Sequence, residues 1–218
     1  MRPLLRAQGH EVSTPSLTGI GERVHLASSQ VTLSTHIRDV VNHVLYEDLN
    51  DIVLVGFSYG GAVVTGALRH IGDRVRHLVY LDAFVPAHGE SIDALRGASG
   101  ESRIELGDDW QIAPRSREFD DPAEGAWQLA RRVAQPAGTF SEAVGLDHPL
   151  EEWPFTRTYI KATADPNDAD GSGAFWQAAI RAKASPFWRY EEVATNHLVP
   201  ANRPAELVAI LTSLTPTG

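Results

Sequence analysis

Short runs of β-branched and aliphatic residues alternate along this chain with longer stretches whose apolar positions recur at helical spacing. The runs at 51–56, 77–82, 157–163 and 188–193 read as strands, and the pattern predicts a further one at 11–17. Between them, 34–49 carries Ile37, Val40, Val41, Val44 and Leu45 on one helical face, with Thr32-Leu33-Ser34-Thr35 at its start as capping material. A closing helix is predicted over 204–214, with Pro204 in its first turn. Strands alternating with helices predict an α/β fold, a mostly parallel sheet covered by helices. From 87 to 154 the periodicity weakens and Gly, Pro and charge interrupt it, with Trp110, Trp127, Phe140 and Trp153 scattered through. That stretch reads as a small helical cap inserted into a core formed by 1–86 and 155–218.

Composition narrows the function classes. The 218 residues suffice for one domain, and a formal net charge of -9 argues against nucleic acid or an anionic membrane as partner. Arg131-Arg132 is the only adjacent basic pair. There is no cysteine, and no apolar run approaches the roughly 18 residues of a membrane span, so the expected location is cytoplasmic. The nine histidines form no HxxxH or HxH pair with acidic company, and neither a metal nor another cofactor is expected.

Chemistry concentrates at Gly56-Phe57-Ser58-Tyr59-Gly60, a G-x-S-x-G run entered from a strand and followed by the small residues Gly61 and Ala62. Small neighbours allow the tight strand-to-helix turn that exposes a serine hydroxyl, and Tyr59 would offer its backbone N–H to a developing oxyanion. Serine needs a base, and the base needs an orienting acid. His197 lies late in the chain, just after a strand and before the closing helix, as the order serine, acid, histidine requires. Two aspartates fit as acid: Asp82 closes an apolar strand, and Asp165 follows the next one in a polar loop with Asp168 and Asp170. A strand end restrains a carboxylate better than a loop does, which tips the reading towards Asp82 and leaves both open.

The segments GHEVSTPSLTGIGERVHL, VLVGFSYGGAV, RVRHLVYLDAFVPAHGES, RTYIKATAD and TNHLVPANRPAELVAIL follow one another in the order of the α/β-hydrolase superfamily. The chain resembles its branch of esterases, salicylate-ester hydrolases and hydroxynitrile-lyase-like enzymes. The resemblance implies Ser58 as nucleophile, His197 as base, and 87–154 as a cap over an apolar acyl pocket. The usual family position of the acid falls on Asp165, while some relatives use the strand end occupied here by Asp82. Relatives also begin with a central strand ending in His-Gly, whose loop gives a second oxyanion N–H. Here Met1 to His10 aligns with the helix after that strand, so the sequence reads as a piece of a longer hydrolase with the 11–17 and 51–56 strands left unpaired, an arrangement open to homodimer formation.

The leading expectation is a serine carboxylesterase acting on a small-molecule ester through an acyl-enzyme. A ligand-binding or weakly active protein of the same fold is the alternative, because an oxyanion site short of one donor loses about a hundredfold in rate. A hydroxynitrile-lyase activity fits less well: those relatives carry a lysine after the histidine, where Leu198 stands here.

Overall fold

A computed structural model describes residues 1–100, 110–168 and 170–214. The chain forms strands β1 (Ile52–Phe57), β2 (Val75–Leu81), the short β3 (Gln111–Ile112) and β4 (Gln135–Pro136), then β5 (Thr156–Ala162) and β6 (Arg189–Val193). Its helices are α1 (Arg2–Ala7), α2 (Leu33–Tyr46), α3 (Gly60–Ile71), α4 (Ile92–Ala98), α5 (Pro122–Leu129), α6 (Gly138–Ser141), α7 (Ala174–Ala184), α8 (Val199–Asn202) and α9 (Pro204–Thr212). Strands β1, β2, β5 and β6 lie side by side in that order as one parallel sheet, and β3 pairs with β4 antiparallel. Each strand of the main sheet begins and ends within two residues of the expected run.

Alternation along β2 assigns its side chains to two layers. Leu78 and Tyr80 enter a core closed by Val40, Val41 and Val44 of α2, Val64 and Leu68 of α3, and Ala178 and Ala182 of α7. Val79 and Leu81 enter the opposite core, closed by Leu5 of α1 and by Leu207, Val208 and Leu211 of α9. Burial on both faces explains why Leu78 to Leu81 of β2 read as a continuous apolar run. Thr32 and Thr35 form a capping box at the start of α2, where the sequence offers the capping residues.

Two expectations are corrected. Residues 11–17 form no strand. Among the described residues no strand flanks β1 on its outer edge, so the segment has no ladder to join. Side chains hold it instead: Arg6 donates to the Val12 carbonyl at 2.9 Å, Arg2 to Thr14 Oγ1 at 2.9 Å, and Ser13 bonds to His43 at 2.6 Å. The expected helical cap at 87–154 is mixed, since α4, α5 and α6 are interleaved with the β3–β4 pair; its 101–109 portion lies outside the described residues.

Candidate functional site

At the end of β1 the chain turns sharply into α3. Ser58 sits at φ 55°, in the left-handed region that a non-glycine residue enters only at a cost. The turn is pinned on both sides: Ser58 N–H donates to the Leu81 carbonyl at 3.2 Å, while the Ser58 carbonyl accepts from Gly61 N–H at 3.1 Å and Phe84 N–H at 3.2 Å. A Cβ on Gly61 would fall 2.1 Å from the Phe84 carbonyl oxygen, so only glycine lets the chain leaving β2 pass this close. Asp82, on that chain, is likewise left-handed at φ 41° and donates its N–H to Ile160 at 2.7 Å.

His197 occupies the loop between β6 and α8. Its Nε2 lies 2.8 Å from Ser58 Oγ and its Nδ1 lies 2.7 Å from Asp82 Oδ2. A carboxylate can only accept, so the ring proton belongs on Nδ1 and Nε2 is left to accept from the serine hydroxyl. Phe57 stacks on one side of the imidazole with centroids 4.8 Å apart, and Phe175 stacks with it at 5.0 Å and 5° between planes.

The two aspartates that the sequence leaves open stand in different surroundings. Asp82 meets the imidazole, whereas Asp165 Oδ2 accepts the backbone N–H of His197 at 3.3 Å and an Arg117 guanidinium N–H at 2.7 Å. Both carboxylates are buried, and each meets a cation: the half-buried Arg117 for Asp165, and the fully buried Lys161, its Nζ 2.8 Å from Asp82 Oδ1, for Asp82. Burial of this kind demands pairing.

Tyr59 caps the start of α3 with helical backbone angles. Its phenol bonds to His36 Nδ1 at 2.8 Å, and His36 Nε2 reaches the Thr18 carbonyl at 2.7 Å. The carbonyl must accept, so His36 carries its proton on Nε2 and takes the Tyr59 O–H at Nδ1. Burial lowers the pKa of His36 and raises that of the Tyr59 phenol far above its ordinary range, so both stay neutral. Phe140, from the 87–154 segment, stacks on Tyr59 at 5.5 Å. A cleft of about 830 Å³, lined by Val85, His88, Leu146, Arg181 and Trp188, includes neither Ser58 nor His197.

The sequence reading passes over Lys161, Arg117 and His36. Lys161 had a signal: a lysine inside the apolar strand run Tyr159-Ile160-Lys161-Ala162 needs a buried acid. Arg117 had none, because it lies 48 positions from its partner in the least periodic stretch of the chain.

The sequence model of the alpha/beta hydrolase family matches residues 1–210. The chain belongs to the alpha/beta hydrolase family. Among hydrolases of known name, a segment is 56% identical over 91 residues to a carbendazim hydrolyzing esterase of Nocardioides, covering 42% of this chain and 38% of that protein. Another is 37% identical over 89 residues to a pyrethroid hydrolase of Sphingobium wenxiniae, covering 40% of this chain and 31% of that protein. The aligned stretches thus span well under half of either relative's length. An extracellular alpha/beta-hydrolase from a Paenibacillus species superposes with a TM-score of 0.74 at 22% identity, covering 98% of this chain and 90% of that one. A methylesterase from Arabidopsis does so at 0.71 and 20% identity, covering 97% and 89%. At such identities these two structures speak for the alpha/beta hydrolase fold alone. Among the described residues, no helix is long and apolar enough to cross a membrane.

Proposed function

We propose that this protein is a serine hydrolase that cleaves carboxylic esters through an acyl-enzyme. The reading is carried by the unbroken file of hydrogen bonds from Ser58 Oγ through the His197 ring to Asp82. Family membership and the high local identity to an esterase support the same chemistry. Ser58 Oγ attacks the ester carbonyl while His197 Nε2 takes its proton, and Asp82 stabilises the imidazolium that forms. The Tyr59 N–H, at the head of α3, is the oxyanion donor in this scheme, and the Tyr59–His36–Thr18 bonds fix its residue in place. His197 then returns the proton to the leaving alcohol, and water repeats the sequence on the acyl-serine. Asp165 serves the backbone of the histidine loop rather than its ring.

Leu198, buried and apolar, follows the histidine and offers no charge to a departing cyanide, so a lyase reading gains nothing from the site. The test is hydrolysis of p-nitrophenyl acetate and butyrate by the protein and by Ser58→Ala. Loss of turnover in the variant supports the reading; equal turnover in both overturns it, and ligand binding with no turnover in either favours a binding protein.

A further inference from the structure

Lys161 has no exposed surface, and its ammonium is held from four directions. Nζ donates to Asp82 Oδ1 and to the Ala162 carbonyl, each at 2.8 Å. It also lies 4.6 Å from the Trp176 ring centroid and 3.8 Å from Asp168 Oδ2. Asp82 is therefore shared, one oxygen on the histidine and the other on the lysine, with the Ala162 N–H joining at 3.3 Å. Replacing a buried ion pair by well-packed apolar residues is often neutral or stabilising, so packing alone gives no reason for a lysine here.

We propose that Lys161 is a positioning residue for the triad, which holds the Asp82 carboxylate facing His197 and lowers the proton affinity of the Asp82–His197 pair. The inference rests on the triad reading above. With Asp82 ionised and His197 neutral, the pair carries one negative charge, and a stray proton on either member cancels it and removes the base. A cation in contact with the pair opposes that uptake whichever member would take the proton, so the base stays free to lower pH.

Other ionisable groups around the pair do not supply this effect. Asp165 is matched by Arg117 at 2.7 Å. Tyr159 bonds to the Ala83 carbonyl beside Asp82. Burial raises its pKa and that of Tyr190, and both stay neutral. Asp168 Oδ2, 3.8 Å from the ammonium, tempers the field of Lys161.

The experiment is the pH dependence of kcat/KM on p-nitrophenyl butyrate for the protein, Lys161→Met, Lys161→Arg and Asp168→Asn, with Ser58→Ala as blank. Lys161→Met is expected to move the acid limb up by about one pH unit. Asp168→Asn is expected to move it down by less, and Lys161→Arg to leave it in place. An unmoved limb in Lys161→Met, with only kcat reduced, overturns the proposal by making the lysine a packing residue. Should Lys161→Met fail to fold, the Asp168→Asn arm decides: a downward shift supports the proposal, and no shift or an upward one overturns it. Undiminished activity in Ser58→Ala would instead overturn the triad reading beneath it.

Discussion

Arg117 and Asp165 form an ion pair, 2.7 Å from Nη1 to Oδ2, that ties the segment between β2 and β5 to the loop carrying His197. Neighbouring contacts run the same way: Asn196 donates to the Glu118 carbonyl at 2.8 Å, Asp120 N–H to Asn202 at 3.1 Å, and Arg203 pairs with Asp120. The carboxylate at the usual acid position of the family thus anchors a backbone, while the strand-end carboxylate faces the ring.

Exchanging each acid for its amide should separate those tasks. Asp82→Asn is expected to lower kcat by about ten-thousand-fold, because the amide favours the wrong imidazole tautomer. Asp165→Asn keeps an acceptor for the His197 N–H but strands Arg117, so its main effect should be a stability loss of about 3 kcal/mol. Ester hydrolysis and urea unfolding of the two variants check this; equal kcat losses would contradict the division.

Backbone strain at the elbow gives a test independent of activity assays. Ser58→Gly removes the left-handed penalty at φ 55° and should stabilise the protein by about 1 kcal/mol while abolishing turnover. Ser58→Ala removes the hydroxyl, keeps the strain, and should melt close to the parent. Thermal melts of the three proteins give the comparison.

Gly61→Ala should be severe. Its added Cβ would lie 2.1 Å from the Phe84 carbonyl oxygen and 2.9 Å from the Ala83 side chain, both in the chain that carries Asp82. Overpacking against backbone leaves no side chain to swing aside, so a loss of about 3 kcal/mol is expected, together with loss of turnover. Unfolding midpoint and esterase rate report the two effects separately.

Acid should weaken the fold through His77, which bonds to Thr158 and Thr156 between β2 and β5. Burial, with help from Arg189, Arg157 and Arg76, lowers its pKa from the ordinary 6.5 to about 4. The unfolded chain then binds the proton more readily, so stability is lost as pH falls from about 6.5 through about 4, by on the order of 3 kcal/mol. Urea melts at pH 7 and pH 4.5 should show a smaller drop for His77→Gln than for the parent.

What the sequence disclosed follows from where its signals are local. The elbow residues are contiguous, and β2 and β5 each carry a run of apolar residues buried on both faces, so each could be read without knowing its neighbours. The role of 11–17 depends on what lies beside it, and an extended pattern finds no partner in the observed sheet. Which of Asp82 and Asp165 meets the His197 ring depends on two facts that spacing does not encode: the left-handed backbone at Asp82, and an arginine arriving from the least regular part of the chain. Lys161 was legible in principle, as a charge inside an apolar strand, but its partner could be named only once β2 and β5 were seen side by side.

The flat imidazole of His197 stacks with both the Phe57 and the Phe175 ring, and this has a kinetic consequence. A turn about its Cβ–Cγ bond is opposed by the stacked rings, which favours each nitrogen staying with its present partner. In the proposed acyl-enzyme scheme, the proton taken from Ser58 on attack and the proton handed to the departing alcohol then pass through the same nitrogen.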